Sequence, residues 1–131
     1  MPPNEPNEKN EKLEMKMKVI HRKDTNPFIT KDGSEIRELY HSKNMSLAEA
    51  TVKVGRITEY HYHKTSEEIY YILNGKGLME IETKKGEVSK DQVIIIPPKC
   101  KHRIRNIGDK PLRFLCHCSP SYSDEDTVLT R

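Results

Sequence analysis

The chain has 131 residues, 34% hydrophobic and 33% charged, and its 23 Lys and Arg against 20 Asp and Glu leave a net charge of +3. That length suits one domain, the small scattered charge argues against a nucleic-acid surface, and no apolar run approaches the roughly 20 residues that cross a bilayer as a helix. The N-terminus has no apolar stretch of the secretory kind, and Cys100, Cys116 and Cys118 are too few and too irregular for a disulfide framework. The reading is a soluble, cytoplasmic protein with no nucleic-acid or membrane partner. So few apolar residues fit a closed β-barrel, which buries one alternating face of each strand, better than a thick layered fold.

Residues 1–16 are mostly Pro, Asn, Glu and Lys, a composition that cannot repay the entropy of ordering, and they read as a disordered tail. Residues 17–131 form the single domain. Asp32-Gly33 marks a turn, and residues 34–40 after it alternate as a strand does. Residues 46–54 place Ala48, Ala50, Val52 and Val54 on one face. Strands follow over 58–64 and 67–73, with Asn74-Gly75 opening a hairpin turn. Residues 77–86, 92–98, 102–106 and 111–119 complete the series, with Gly108-Asp109 as a further turn. About eight to ten short strands with no sustained helical period define an all-β class.

His61 and His63 lie two apart on one strand, so both leave the same face of the sheet. Glu68 opens the next strand, which a hairpin folds back towards them, and His102 follows the apolar strand ending at Pro97-Pro98. Two imidazoles, a carboxylate and a third imidazole suit one divalent transition metal: Mn, Fe, Ni, Co, Zn or Cu. A His-x-His pair alone arises often by chance; Glu68 and His102 at matching positions carry the reading.

With these residues the chain resembles the cupin superfamily. Its first motif, G-x5-H-x-H-x3,4-E-x6-G, is matched by Gly55, His61, His63, Glu68 and Gly75. Its second, G-x5-P-x-G-x2-H-x3-N, is matched by Pro97, His102 and Asn106, while Lys99 stands at the second glycine and Asp91 where the first is usual. The resemblance implies a double-stranded β-helix, or jelly-roll, barrel with the metal inside its mouth and His61, His63, Glu68 and His102 as ligands. Glu67 is the rival for Glu68, and strand parity with Tyr70 and Ile72 prefers Glu68.

Glu59 shares the parity of the two histidines and is read as a general base, a rim residue or a partner that orients one of them. Tyr70 and Cys116 are assigned to the substrate pocket, with Cys116 and Cys118 on the inward face of Leu112 and Phe114. His117 points the opposite way, and His21 and His41 carry no signal. Ile69, Tyr71 and Leu73 face outward beside the apolar residues 92–96, which suggests a C2 homodimer. The functional expectation is a small metalloenzyme acting on an oxygen-rich small molecule as an isomerase, lyase or dioxygenase. The alternative is a non-catalytic metal-dependent binding or sensing module; a barrel with vestigial ligands ranks last.

Overall fold

The computed structural model describes residues 17–130; the tail assigned to residues 1–16 lies outside the described residues. Strands are β1 (Phe28–Ile29), β2 (Glu35–His41), β3 (Ser46–Val52), β4 (His61–His63), β5 (Glu67–Asn74), β6 (Lys76–Ile81), β7 (Lys84–Ser89), β8 (Val93–Ile96), β9 (His102–Asn106), β10 (Leu112–Ser119) and β11 (Thr127–Leu129). A 3-10 turn at Arg22–Asp24 precedes them. All pairings are antiparallel, in a six-stranded sheet of order β1-β2-β3-β10-β5-β8 and a five-stranded sheet of order β11-β4-β9-β6-β7. The fold is the all-β jelly-roll barrel that the sequence implied.

The core between the sheets follows from the two-residue period of a strand. On β5, Glu68, Tyr70 and Ile72 are buried while Glu67, Ile69 and Tyr71 are exposed. Tyr70 and Ile72 join Ala50, Val52, Met79, Ile96, Ile104, Leu112 and Phe114 in one apolar cluster. Glu68 leaves the same face of β5 as Tyr70 and Ile72, beside that cluster, and so enters the barrel instead of solvent.

Two expected hairpins are corners instead. Asn74-Gly75 reads locally as a hairpin, yet β5 and β6 belong to opposite sheets, so Gly75 is where the chain passes from one to the other. Its φ of +92 is a left-handed conformation, and a Cβ there would come within 2.9 Å of the Pro111 carbonyl oxygen. Lys64–Ser66 likewise carries the chain between sheets, which sets Glu68 across the barrel from the histidines. The hairpin in this region joins β6 to β7 around Glu82, whose φ of 53 takes the left-handed role without a glycine to announce it. The strand read over 46–54 ends at Val52, and Val54 is exposed. β1, β7 and β11 did not stand out in the sequence.

Asp91 and Lys99, the two departures from the glycine positions, adopt φ of 70 and 68. The turns are therefore kept in shape and carried by residues for which that backbone is less favourable. Outside the barrel, Glu49 on β3 is buried under the N-terminal segment, where it pairs with Arg22 at 2.9 Å and Arg113 at 3.1 Å. Burial alone would raise its pKa, but the two guanidinium groups hold it below the usual carboxylate value.

Gly75→Ala combines the strained φ with the Pro111 contact and is expected to destabilise the barrel by about 1–3 kcal/mol, read as a lower urea midpoint.

Candidate metal centre

His61 and His63 lie on β4, and His102 opens β9 directly opposite His61 in the same sheet. Glu68 reaches them from β5 in the facing sheet. One donor atom from each of the four residues lies within 4.8 Å of the other three, and all four side chains are buried. Glu68 Oε1 is 3.1 Å from His63 Nε2 and 3.3 Å from His102 Nε2.

The far side of each ring decides what the near side presents. His61 Nδ1 donates to the Glu59 carbonyl at 2.8 Å, and His102 Nδ1 donates to the Cys100 carbonyl at 2.9 Å. A carbonyl can only accept, so both Nδ1 atoms carry the proton and both Nε2 atoms bear a lone pair. His63 Nδ1 meets Thr127 Oγ1 at 3.1 Å, and that hydroxyl donates its own proton to the Ser123 carbonyl at 2.8 Å. The hydroxyl must therefore accept from His63, which fixes the third tautomer in the same sense.

In the neutral rings, three lone pairs and a carboxylate oxygen thus converge on one point. His102 Nε2 is fully buried and has no hydrogen-bond partner among the described residues. A buried polar atom without a partner costs roughly 1–3 kcal/mol, and facing acceptors add repulsion. A cation removes both penalties, so the cluster fits one divalent metal held by His61, His63, Glu68 and His102. A proton is the lesser substitute. Burial pulls His63 down, but Glu68 beside it leaves its pKa raised; burial and the His102 charge leave that of His61 lowered. Burial by itself would raise Glu68, yet when a proton occupies the cluster, hydrogen bonds and charge from the His102 and His63 imidazoles hold its carboxyl well below the usual range.

The cavity above this cluster is lined by side chains from both sheets and from the Thr30–Ser34 turn, Tyr70 and Cys116 among them. Tyr70 stacks 4.5 Å from the Phe114 ring, and burial pushes its hydroxyl and the Cys116 thiol far above their ordinary pKa values. Glu67 is exposed. Glu59 is a correction: β4 begins only at His61, so strand parity does not extend back to it, and its side chain is exposed and does not line the cavity. Its main-chain carbonyl orients His61 instead. Arg103 lies on the outside, paired with Glu80 and stacked 4.2 Å over Tyr60, and Arg105 is exposed.

The structure gives five further residues a part in the site that the sequence did not assign them. Thr127 on β11 fixes His63. Cys118, on the inward face of β10, donates its thiol to Glu68 Oε2 at 3.3 Å, leaving Oε1 aimed at the histidines. Asp32 had been read only as a turn residue, and Tyr122 had no signal; both line the cavity. Asp126 ties the site together from behind, accepting from the Thr65 and Ser66 amides at 2.9 and 3.2 Å, so the β4–β5 corner is pinned to the approach to β11.

Comparison with known proteins places these features in context. A family model described as a cupin domain matches residues 48–118. An uncharacterized protein of Methanocaldococcus jannaschii is 56% identical over 108 residues, covering 79% of this chain and 86% of that one. A glucose-6-phosphate isomerase of Thermococcus litoralis is 38% identical over 73 residues, spanning 48% of this chain and 38% of the isomerase. Among solved structures, Streptomyces PAC13 with uridine superposes with a TM-score of 0.75 at 14% identity, covering 88% of this chain and 92% of that chain, a likeness of fold.

Thr127→Val removes the hydroxyl that fixes the His63 tautomer. Metal affinity by calorimetry is expected to fall by roughly 10–100-fold while the circular dichroism of the barrel is unchanged.

Proposed function

The chain belongs to the cupin family, and on that premise we propose that it is a mononuclear metalloenzyme acting on an oxygen-rich small molecule, with isomerase or lyase chemistry ahead of dioxygenase. The observation that carries this reading is the convergence of four buried donor groups, three imidazoles and a carboxylate, on one point, an arrangement whose mutual repulsion and desolvation a divalent cation relieves. A metal held by His61, His63, Glu68 and His102 supplies a Lewis acid with positions left open for a chelating ligand, and the ligand set accepts Mn, Fe, Ni, Co, Zn or Cu. The likeness to a sugar-phosphate isomerase over 73 residues supports the ordering of reaction classes.

The chain's own residues set the conditions for that chemistry. The carbonyls of Glu59 and Cys100 and the Thr127 hydroxyl keep three imidazoles oriented before any ligand arrives. Phe114, Ala48 and Ala50 exclude water from one wall of the cavity, and Tyr70 and Cys116, both un-ionised, complete it. Glu59 has no catalytic part in this scheme.

We also propose a cytoplasmic homodimer. All three cysteines are free, which suits a reducing compartment, and no helix among the described residues is long and apolar enough to cross a membrane. β8 is a free sheet edge whose Val93 and Ile95 are 52% and 62% exposed, directly opposite Tyr71 and Ile69 on β5. That apolar stripe along an unpaired edge is self-complementary for a second copy. Ile95→Lys is expected to convert a dimer into a monomer by light scattering with the fold intact; a wild-type monomer refutes the assembly.

Glu68→Gln tests the metal reading. The variant is expected to fold, since Glu68 is no part of the apolar cluster, and to lose more metal affinity than the roughly 10–100-fold that an outer partner is worth. A wild-type protein that takes up none of these metals sinks the proposal. Tight ligand binding without turnover under any of them assigns the sensing role instead.

A further inference from the structure

The turn before β2 delivers one more charged group to the cavity. Asp32 Oδ1 accepts from Thr30 Oγ1 at 2.7 Å, from the Ser34 amide at 3.0 Å and from Ser34 Oγ at 2.6 Å. Three donors on one oxygen lock the carboxylate in place. Its other oxygen, Oδ2, has no hydrogen bond among the described residues and lies 3.9 Å from His61 Nε2, on a side chain only 14% exposed. An Asp that merely closed its turn would not need to present a bare oxygen to the metal-binding cluster.

The charge of the lining is one-sided. Its acidic side chains are Asp32, Glu38 and Glu68, and among the described residues no Lys or Arg lines the cavity. The nearby cations are engaged elsewhere: Lys31 Nζ on the carbonyls of Asp124 and Thr127, Arg37 on the Thr25 carbonyl, and Arg22 and Arg113 on Glu49. A divalent metal with Glu68 leaves a single positive charge, and Asp32 cancels it. An anionic ligand entering this cavity meets a fixed carboxylate and gains no compensating cation side chain. A hydroxyl group meets a free acceptor held at the right depth.

Resting on the metal-centre reading above, we propose that Asp32 is the specificity determinant of this cavity. Its Oδ2 accepts a hydrogen bond from a hydroxyl of an uncharged ligand and turns away phosphate esters and carboxylates. The substrate class is therefore neutral and hydroxyl-bearing. This separates the chain from a sugar-phosphate isomerase despite the partial identity, because among the described residues no cationic side chain lines the cavity to receive a phosphate.

The test uses the full chain loaded with Co(II), whose visible spectrum reports ligands entering the open positions without any turnover. Azide serves as the anionic probe and imidazole as the neutral one, titrated into the wild type, Asp32→Asn and Glu38→Gln. Asn keeps the Oδ1 acceptor for the turn, removes the charge and puts an amide donor in place of Oδ2. Asp32→Ser, whose shorter side chain presents no amide there, is therefore titrated alongside and is expected to show the same gain for azide. Azide is expected to bind Asp32→Asn at least about threefold more tightly than the wild type, while imidazole does not tighten. Glu38→Gln, exposed at the rim, is expected to change azide affinity by less than about twofold. A gain for azide below threefold, or azide and imidazole tightening together as a simple widening would produce, overturns the proposal. An unchanged circular dichroism spectrum and urea midpoint in Asp32→Asn show that the turn is folded; if that variant does not fold, Asp32→Ser carries the same expectation. Failure of the wild type to bind Co(II) strikes the metal centre itself and is read separately from the azide comparison.

Discussion

The structure depends on one unfavourable arrangement: the Nε2 atoms of His61, His63 and His102 and Oε1 of Glu68 are held within 4.8 Å of one another, in a buried place. Left alone, these groups would prefer water. They stay together because their strands are committed by the apolar cluster, from Tyr70 and Ile72 on β5 to Ile104 on β9, and because the far nitrogen of each ring is already bonded. The packing of the two sheets supplies the free energy that keeps four lone-pair donors from dispersing. A cation entering this cluster finds its coordination shell assembled, which is the general meaning of a preorganised site.

Much of this was legible in the sequence because it is local. The period of two in a strand puts His61 and His63 on one face and separates Glu68 from Glu67, and both statements need only neighbouring residues. His102 is more distant, yet its place just after Pro97-Pro98 marks the start of a strand. What could not be read is whatever depends on which sheet a strand joins. Asn74-Gly75 has the composition of a hairpin turn, and only the partners of β5 and β6, dozens of residues away, make it a corner. Glu59 fell to the same limit, since its parity with His61 means nothing where the strand has not begun.

The supporting residues were hidden for a different reason. Thr127 sits 64 positions from His63, in a three-residue strand with no distinguishing pattern, and a threonine there has no local signature. Asp32 carried a true signal that had a sufficient local explanation: Asp before Gly makes a turn. Both of its oxygens have to be followed before one is seen to be spent on the turn and the other left over. Asp91 and Lys99 show the converse, where a missing glycine leaves the backbone conformation intact.

β11 pairs with β4 over only three residues, Thr127 against His63, Val128 against Tyr62 and Leu129 against His61. So short a strand has few bonds to break, and it is a natural place for the native protein to open locally. Fraying there would release the hydroxyl that orients His63, so the population of open barrel and the basicity of one metal-facing nitrogen are the same variable. Whatever binds the four donors binds the closed form alone. By linkage it slows amide hydrogen exchange in β11, a strand that supplies none of the four donors.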